Sequence, residues 1–111
     1  HTVYHNNGSE FTTARPGDTY ATIASEFGLT VKKLLKYNDE TTVPALRPGE
    51  MVYLRPKGKR SENGKLIHVA KEGETLHSIS QTYGIRLKNL CNMNRRMPDS
   101  EVKAGQQIRL M

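Results

Sequence analysis

The chain has 111 residues, a formal net charge of +6 at pH 7, 35% hydrophobic and 6% aromatic residues, and no tryptophan. This length fits one ordinary domain or two very small ones, and so little apolar material excludes a large buried core. No stretch approaches the roughly 18 apolar residues of a membrane span, and the first ten residues do not resemble a signal peptide. We therefore expect a soluble chain that does not insert into membranes and that could be part of a longer exported protein.

The organisation of the chain follows from an internal repeat. The stretch RPGDTYATIASEFGLTVKKLLKYN returns 56 residues later as KEGETLHSISQTYGIRLKNLCNMN, without a gap. Ten positions are identical, where about three would match by chance. The identical pairs are Ala14/Ala70, Gly17/Gly73, Thr19/Thr75, Ile23/Ile79, Gly28/Gly84, Lys32/Lys88, Leu34/Leu90, Asn38/Asn94, Gly49/Gly105 and Leu54/Leu110. The sequence predicts an N-terminal segment 1–10, a first module 11–55, a linker 56–65 and a second module 66–111.

Each module begins with a short candidate strand, 11–15 in the first copy and 67–71 in the second. A glycine turn follows, and Thr19 or Thr75 is placed to cap the first helix because a threonine oxygen can accept from its unpaired amides. Glycine then ends the helix in the left-handed conformation, at Gly28 and Gly84. The predicted buried stripes of this helix are Tyr20, Ile23, Ala24, Phe27 and Leu76, Ile79, Tyr83, with the spacing of one helical face.

A second short helix and a closing strand complete each copy. Thr30 caps the helix in the first copy, whereas Arg86 stands at that position in the second, so its start should be less well anchored. The predicted buried faces are Val31, Leu34, Leu35 and Leu87, Leu90, Cys91. The fold class is therefore α+β, with two tandem βααβ modules, each with a two-stranded antiparallel sheet and two helices. Between them, PKGKRSENGK is typical of a linker, and its Asn63-Gly64 also suits a tight turn between flanking strands.

These repeated residues resemble the LysM (lysin motif) family over Phe11 to Leu54 and Ile67 to Leu110. The resemblance rests on PGDTYATIASEFGLTVKKLLKYN with LRPGEMVYL, and on EGETLHSISQTYGIRLKNLCNMN with VKAGQQIRL. It implies βααβ modules that bind N-acetylglucosamine-containing glycans, usually peptidoglycan or chitin, and that are appended to cell-wall hydrolases, receptors or envelope proteins. It also suggests the carboxy-terminal part of a bacterial autolysin.

The resemblance also implies a binding groove between the first strand–helix loop and the loop that leads to the last strand. In the first copy the implied ligand-binding residues are Gly17, Asp18, Thr19, Tyr20, Val43, Pro44, Ala45 and Leu46. In the second copy they are Gly73, Glu74, Thr75, Leu76, Pro98, Asp99, Ser100, Glu101 and Val102. The second copy departs from the family pattern, because its loop RRMPDSEV is charged where VPAL in the first is apolar. We therefore expect the first copy to bind glycan more tightly.

Elementary chemistry is compatible with such a groove, since backbone amides and a small apolar wall suit an acetamido group. The same turn residues also have a purely structural interpretation as turn and helix cap. Histidines at 1, 5, 68 and 77 lie without a supporting carboxylate cluster, so no metal or cofactor is predicted. Cys91 lies on a buried stripe and is expected to be a packed thiol rather than a nucleophile.

These observations predict a non-catalytic, glycan-binding pair of modules in the cell envelope, periplasmic or secreted, that acts as a monomer. Its expected partner is peptidoglycan or another N-acetylglucosamine polymer. Two alternatives remain open at this point. One is a protein-interaction or spacer module of the envelope; the other is a basic nucleic-acid-binding fragment, which the cations of the linker favour but which lacks an aromatic platform or recognition helix.

Overall fold

The computed structural model describes all residues from 1 to 111 and divides into two compact units, unit 1 (His1–Lys57) and unit 2 (Gly58–Met111). Unit 1 contains the strands β1 (Tyr4–Asn6), β2 (Ser9–Thr13) and β3 (Met51–Tyr53) and the helices α1 (Tyr20–Glu26) and α2 (Val31–Tyr37). Unit 2 contains β4 (Ile67–Val69), α3 (Leu76–Tyr83), α4 (Leu87–Asn94) and β5 (Gln107–Arg109). The predicted α+β class and the βααβ order are confirmed. None of these helices has the length and apolar character that a bilayer crossing requires.

Antiparallel strands join the two ends of each repeat. In unit 1, β2 pairs with β3 so that Phe11 lies opposite Tyr53, and in unit 2, β4 pairs with β5 so that His68 lies opposite Ile108. The sheet of unit 2 has the two predicted strands, whereas that of unit 1 has a third strand, β1, on the free edge of β2. The N-terminal segment thus belongs to the first sheet.

The hairpin between β1 and β2 is made by Asn7 and Gly8, whose φ angles are 51° and 75°. Two central residues with positive φ define the turn type whose twist matches that of the flanking strands, and Asn-Gly is its preferred sequence. By contrast, Asn63-Gly64 has no flanking pair of strands: the Asn63 side-chain oxygen accepts from the Ser61 hydroxyl and the Lys65 amide instead. The expected tight turn is therefore a local loop and not a hairpin.

The predicted helix caps are confirmed. Thr19 and Thr75 accept hydrogen bonds from the backbone N–H groups of Thr22 and Ser78, and the hydroxyls of those two residues accept from the cap N–H in return. Thr30 caps α2 through the Lys33 N–H, whereas Arg86 makes no side-chain cap to α4. Gly28 and Gly84 both have a φ of 66°. Local residue chemistry therefore fixes where three of the four helices begin.

Each unit has its own hydrophobic core, formed by the apolar helix faces against the sheet. In unit 1 the buried members are Tyr20, Ile23, Ala24, Leu34, Val52 and Leu54. In unit 2 they are Ala70, Leu76, Ile79, Ile85, Leu90, Cys91, Ile108 and Leu110. The predicted stripes are thus confirmed as core faces, and the buried position of Cys91 is confirmed as well.

An asparagine connects the second helix to the last strand in both units, and it is buried at Asn38 and half-buried at Asn94. The Asn38 side-chain amide donates to the carbonyls of Leu34 and Tyr53, and its oxygen accepts from the Tyr53 N–H at 2.7 Å. Asn94 makes the same three bonds with Leu90 and Arg109. The Asn38/Asn94 identity therefore marks a polar clamp that holds the end of α2 on β3 and the end of α4 on β5.

Part of the predicted linker 56–65 packs against the units. Lys57 is 2% exposed, and its Nζ lies 2.7 Å from Asp39 Oδ2. Gly58 forms a parallel bridge with Ile85, and the Ser61 N–H donates to the Leu110 carbonyl at 2.7 Å. Residues 57–61 thus take part in the packing of the unit to which each belongs.

Candidate functional site

Four tight turns of one type build the edges of the candidate groove. They are residues 15–18 and 47–50 in unit 1, and 71–74 and 103–106 in unit 2. In each turn the fourth residue's N–H donates to the first residue's carbonyl at 3.0–3.2 Å, and the first residue's N–H donates to the fourth residue's side chain at 2.6–3.0 Å. The third residue is always glycine, with φ between 84° and 89°, a region that glycine enters without strain.

The two turns of each unit are hydrogen-bonded side by side. Ala14 donates to the Glu50 carbonyl and accepts from the Gly49 N–H, at 2.9 and 2.8 Å. In unit 2, Ala70 makes the corresponding two bonds with Gln106 and Gly105, both at 2.8 Å. The second turn directly follows 43–46 in unit 1 and 98–102 in unit 2. The pairing therefore places the carboxy-terminal end of each predicted second wall near the first turn of its unit.

In unit 1 the structure separates the predicted site residues into exposed and packed groups. Tyr20 is buried, and Leu46 is half-buried against the core. Burial raises the pKa of the Tyr20 hydroxyl, and the carboxylates of Glu40 and Glu50 raise it further. Pro44 and Asp18 are half-buried, and the exposed members are Gly17, Thr19, Val43 and Ala45. A ligand at this edge would meet chiefly the exposed group.

The backbone of the second wall in unit 1 makes no hydrogen bond within the protein. The N–H and C=O groups of Val43 and Ala45, and those of Leu46, have no backbone or side-chain partner. Val43 also presents an apolar side chain that is 57% exposed. This wall therefore offers donors, acceptors and an apolar contact together, which is the combination that an acetamido group requires.

The acids before the helices are engaged by the protein itself. Asp18 Oδ2 accepts from the Arg15 N–H at 2.7 Å and lies 2.5 Å from His1 Nε2, and its Oδ1 accepts from the Thr22 hydroxyl. In unit 2, Glu74 Oε1 accepts from the Lys71 N–H at 2.6 Å and from His68 Nε2 at 2.8 Å. Both carboxylates therefore stabilise their turns.

The environment of Glu74 determines its pKa. Partial burial acts to raise the pKa, but the hydrogen bonds from His68 and from the Lys71 N–H outweigh it, so the pKa lies below its ordinary value. Nδ1 of the same imidazole is hydrogen-bonded to the Tyr83 hydroxyl, at 2.7 Å. Glu74 is therefore held as an anion by groups of its own unit.

An imidazole next to the acid and to an aromatic ring occurs in both units, although the two histidines are not aligned in the repeat. His68 is in β4 and packs edge-on against Tyr83. His1 comes from the N-terminal segment and lies 6.2 Å from the Phe27 ring, between Asp18 and Glu26. The sequence did not predict either contact, because the repeat places Thr12 opposite His68 and Lys57 opposite His1.

The second wall of unit 2 is polar and internally bonded. The Ser100 hydroxyl accepts from the Met97 N–H, and the Glu101 carbonyl accepts from Arg96, which also donates to the Gln106 side chain. Of the predicted residues in this unit, Leu76 is buried and Glu74, Ser100 and Val102 are half-buried. The exposed members are Gly73, Thr75, Pro98, Asp99 and Glu101. In this wall the Ser100 N–H and the Glu101 carbonyl thus already have protein partners, whereas no backbone group of 43–46 has one.

Metal-ligating and nucleophilic side chains do not form a further site. No group of three or more histidine, cysteine, aspartate or glutamate side chains is arranged to hold a metal ion. The Cys91 thiol lies in the core of unit 2.

Two successive βααβ units with paired glycine turns at one edge define a tandem arrangement of small binding modules. The family model of the LysM domain matches residues 12–55 and 68–110, and the chain belongs to the LysM domain family. Domains of this family are generally non-catalytic modules that bind peptidoglycan and other N-acetylglucosamine-containing glycans.

Two solved structures are similar to the chain. The spore cortex-lytic enzyme SleL of Bacillus cereus is 28% identical, with a TM-score of 0.40, and the match covers 91% of this chain and 22% of that one. SleL of Bacillus megaterium is 19% identical, with a TM-score of 0.39, and the match covers 89% of this chain and 21% of that one. The chain thus spans about a fifth of the length of these enzymes. No curated protein matches it in sequence.

Proposed function

We propose that the chain binds N-acetylglucosamine-containing glycan, above all peptidoglycan, at the turn-lined edge of each unit. The observation that carries the proposal is the second wall of unit 1, where backbone groups without a protein partner lie beside an exposed apolar side chain. A sugar acetamido group has one donor, one acceptor and one methyl group, so it can satisfy such a wall at once. Membership of the LysM family supports the same ligand class.

The two units differ in what they offer this ligand. Unit 1 presents Val43 and Ala45 with free backbone groups, whereas in unit 2 the Ser100 N–H, the Ser100 hydroxyl and the Glu101 carbonyl already have partners. A sugar that binds unit 2 must compete with these internal bonds or use other groups. We therefore expect unit 1 to be the tighter site.

A pair of shallow sites gives useful affinity for a polymer by avidity. Each groove can bury little of a sugar chain, so a single unit should bind weakly. Once one unit is bound, binding of the other to the same material is intramolecular, and the apparent affinity can rise by about 10²-fold. The chain then serves as a monomeric, non-catalytic anchor that holds an envelope protein or a cell-wall hydrolase on the wall, in the periplasmic or secreted part of the cell envelope.

The test uses the whole chain, insoluble peptidoglycan and a short N-acetylglucosamine oligomer. Val43→Asp places a charge on the apolar wall and should weaken binding to the oligomer at least tenfold. Val69→Asp is the matched control, because Val69 is 56% exposed, lies in the strand β4 of unit 2 and is not one of the proposed ligand-binding residues, so this variant should leave binding at the wall of unit 1 unchanged. Amide resonances of Ala45 and Leu46 should shift during the titration.

Several results would contradict the proposal. Equal binding by Val43→Asp and the parent chain would exclude this wall as the site. Failure of the parent chain to bind any glycan would favour the spacer alternative, and salt-dependent binding to DNA at lower concentration than to glycan would favour the nucleic-acid alternative. Release of reducing ends or peptides by the pure chain would overturn the non-catalytic assignment.

A further inference from the structure

Each unit has a groove between the turn that joins its two helices and the end of its last strand. This groove is occupied in unit 2 and open in unit 1. In unit 2 it holds the chain's own residues 58–61. Gly58 donates its N–H to the Gly84 carbonyl and accepts from the Arg86 N–H, both at 2.8 Å. Three residues later, the Ser61 N–H donates to the Leu110 carbonyl at 2.7 Å. An extended segment thus pairs with the helix–helix turn at one point and with the strand end at another.

This segment covers the groove of unit 2. Gly84 is buried, and neither Ile85 nor Leu110 has any exposed surface. Ile85 is the residue that Gly58 bridges. The chain therefore contains one occupied example of the groove, which shows what kind of ligand its backbone groups accept.

In unit 1 the equivalent groove is open. The Gly28 carbonyl, the Thr30 N–H and the Leu54 carbonyl stand at the positions of the three groups used in unit 2, and none of them has a hydrogen-bond partner in the protein. Gly28 is exposed, and Leu29, the counterpart of Ile85, is only half-buried. The groove is lined by the apolar side chains of Val3, Phe27, Leu29 and Leu54, with Glu10 and Arg55 beside them.

The chain does not fill this groove because its N-terminal residues are used elsewhere. Residues 2–5 are the counterparts of 58–61 in the repeat. Of these, Tyr4 and His5 pair with β2 in the sheet, and the Thr2 carbonyl accepts from the Thr12 hydroxyl. Addition of β1 to the sheet thus leaves the groove of unit 1 without its usual segment.

We propose that this open groove of unit 1 binds an extended segment of a partner protein. One residue of the segment donates its N–H to the Gly28 carbonyl and accepts from the Thr30 N–H, as Gly58 does with Gly84 and Arg86. Addition of an extended peptide through such main-chain bonds is a general mode of peptide recognition. The glycan proposal concerns the opposite, turn-lined edge, so the two sites are independent.

The chemistry of the groove restricts the segment that fits. The residue at the bridging position should be small, because the occupied example has glycine there. A residue further along should supply the N–H for the Leu54 carbonyl, three positions away as in Ser61. With only three main-chain bonds and a short apolar lining, binding of an isolated peptide should be weak, and half-saturation is expected near millimolar concentration.

The test is a titration of the isotope-labelled whole chain with the capped peptide PKGKRSE, the chain's own residues 56–62, followed by NMR. The Thr30 amide should shift in a saturable way, and its hydrogen exchange should slow at least severalfold. The Arg86 amide is already bonded and should not move. The matched control peptide carries N-methylglycine at the Gly58 position, which replaces the N–H for Gly28 with an N–CH3 group and should abolish the effect.

A chain variant tests the same site from the protein side. Val3→Asp should weaken the peptide effect at Thr30 severalfold, whereas Val69→Asp, in unit 2, should not. The proposal is overturned if Thr30 does not respond at several millimolar peptide, or if the N-methylated peptide acts equally. It is also overturned if only the N-acetylglucosamine oligomer shifts Thr30, which would make the groove a sugar site. A concentration-dependent dimer in which the Thr30 amide becomes protected would assign the groove to a second copy instead.

Discussion

Units 1 and 2 share their interior and differ at their periphery. Both have capping boxes at Thr19 and Thr75, the same pair of glycine turns, and an asparagine clamp between the second helix and the last strand. The additions differ: unit 1 has a third strand and a buried Lys57, and unit 2 has an extended segment over its helix–helix turn. The shared bonds specify the fold, whereas the additions determine which surfaces remain open for ligands.

The largest expected difference concerns the asparagine clamp. Asn38→Ala removes the partners that the side chain supplies to the Tyr53 N–H and C=O in a fully buried position, so unit 1 should lose about 3 kcal/mol of unfolding free energy. Asn94→Ala breaks the same bonds at a half-buried position, where water can replace them, so unit 2 should lose about 1 kcal/mol.

Urea unfolding of the whole chain, followed by resolved NMR resonances of each unit, measures both losses. Lys36→Ala, at an exposed position of α2, is the control and should change unit 1 by less than about 0.5 kcal/mol. Equal losses for the two asparagine variants would show that burial does not distinguish the clamps.

The next largest loss of stability is expected in unit 1, at its buried ion pair. Asp39→Asn removes the counter-charge of Lys57, whose ammonium is buried, and should lower the unfolding free energy by about 2 kcal/mol at pH 7. Asparagine tolerates the positive φ of 53° at this position, so the backbone should be retained. The same denaturation experiment measures the loss, and Lys57→Met in the Asp39→Asn background should restore most of it.

The pH dependence of this loss has a defined sign. Burial lowers the pKa of Lys57 from 10.5, although the hydrogen bond to Asp39 acts against this. The folded state therefore disfavours the charged amine. This cost in folding free energy is present below the pKa that Lys57 has in the folded state, and it disappears as the pH rises toward 10.5. The deficit of Asp39→Asn should shrink between pH 7 and pH 9.5. A deficit that grows in this interval would contradict the assignment.

A smaller effect tests the unequal starts of the second helices. Thr30→Ala should destabilise unit 1 by about 1 kcal/mol, because the Lys33 N–H loses its cap. Arg86→Thr should stabilise unit 2 by about 0.5 kcal/mol, since Arg86 has an extended backbone but makes no side-chain cap. Lys65→Thr removes the same charge from an exposed loop and is the control. If Arg86→Thr stabilises unit 2 no more than this control does, the missing cap does not limit the stability of unit 2.

The smallest effect is the acid sensitivity of unit 2. The pKa of Glu74 lies below 4.5 in the folded state, so the carboxylate anion stabilises unit 2 above pH 4.5. This stabilisation is lost as the pH falls through the pKa of the folded state. Glu74→Gln should therefore reduce the fall in the stability of unit 2 between pH 5 and pH 3. Glu72→Gln, at an exposed neighbouring position, should not. Identical pH profiles for the two variants would contradict this role.

Local chemistry made most of the fold predictable. Caps, glycine helix ends and apolar stripes each depend on residues within one or two turns, so Thr19, Gly28 and Leu34 could be assigned from sequence. The third strand was not predicted, although Asn7-Gly8 carries the hairpin signal. Asn63-Gly64 carries the same signal, but it forms no hairpin because no strands flank it. A turn sequence specifies a hairpin only where neighbouring residues can pair.

The candidate site was predictable only in part, and it stays a proposal. The glycine turns next to the helices and strands could be predicted, because glycine marks positions of positive φ, whereas the role of 43–46 as a binding wall stays a prediction. The sequence did not reveal that the carboxylates of Asp18 and Glu74 are already engaged, since His1 and His68 reach them from distant or unaligned positions. Contacts between distant residues depend on the tertiary fold, which the periodicity of one segment does not encode.

The third strand also bears on self-association. With β1 in place, β2 is paired on both sides, whereas no strand covers the outer edge of β4, where Ile67 and Val69 are exposed. An uncovered apolar edge is a template for aggregation, and flanking charges are a common protection against it. Lys65 and Lys71 stand at the two ends of this edge. We therefore expect part of the net positive charge to have a colloidal role, in which like-charge repulsion between copies disfavours pairing of one exposed edge with another.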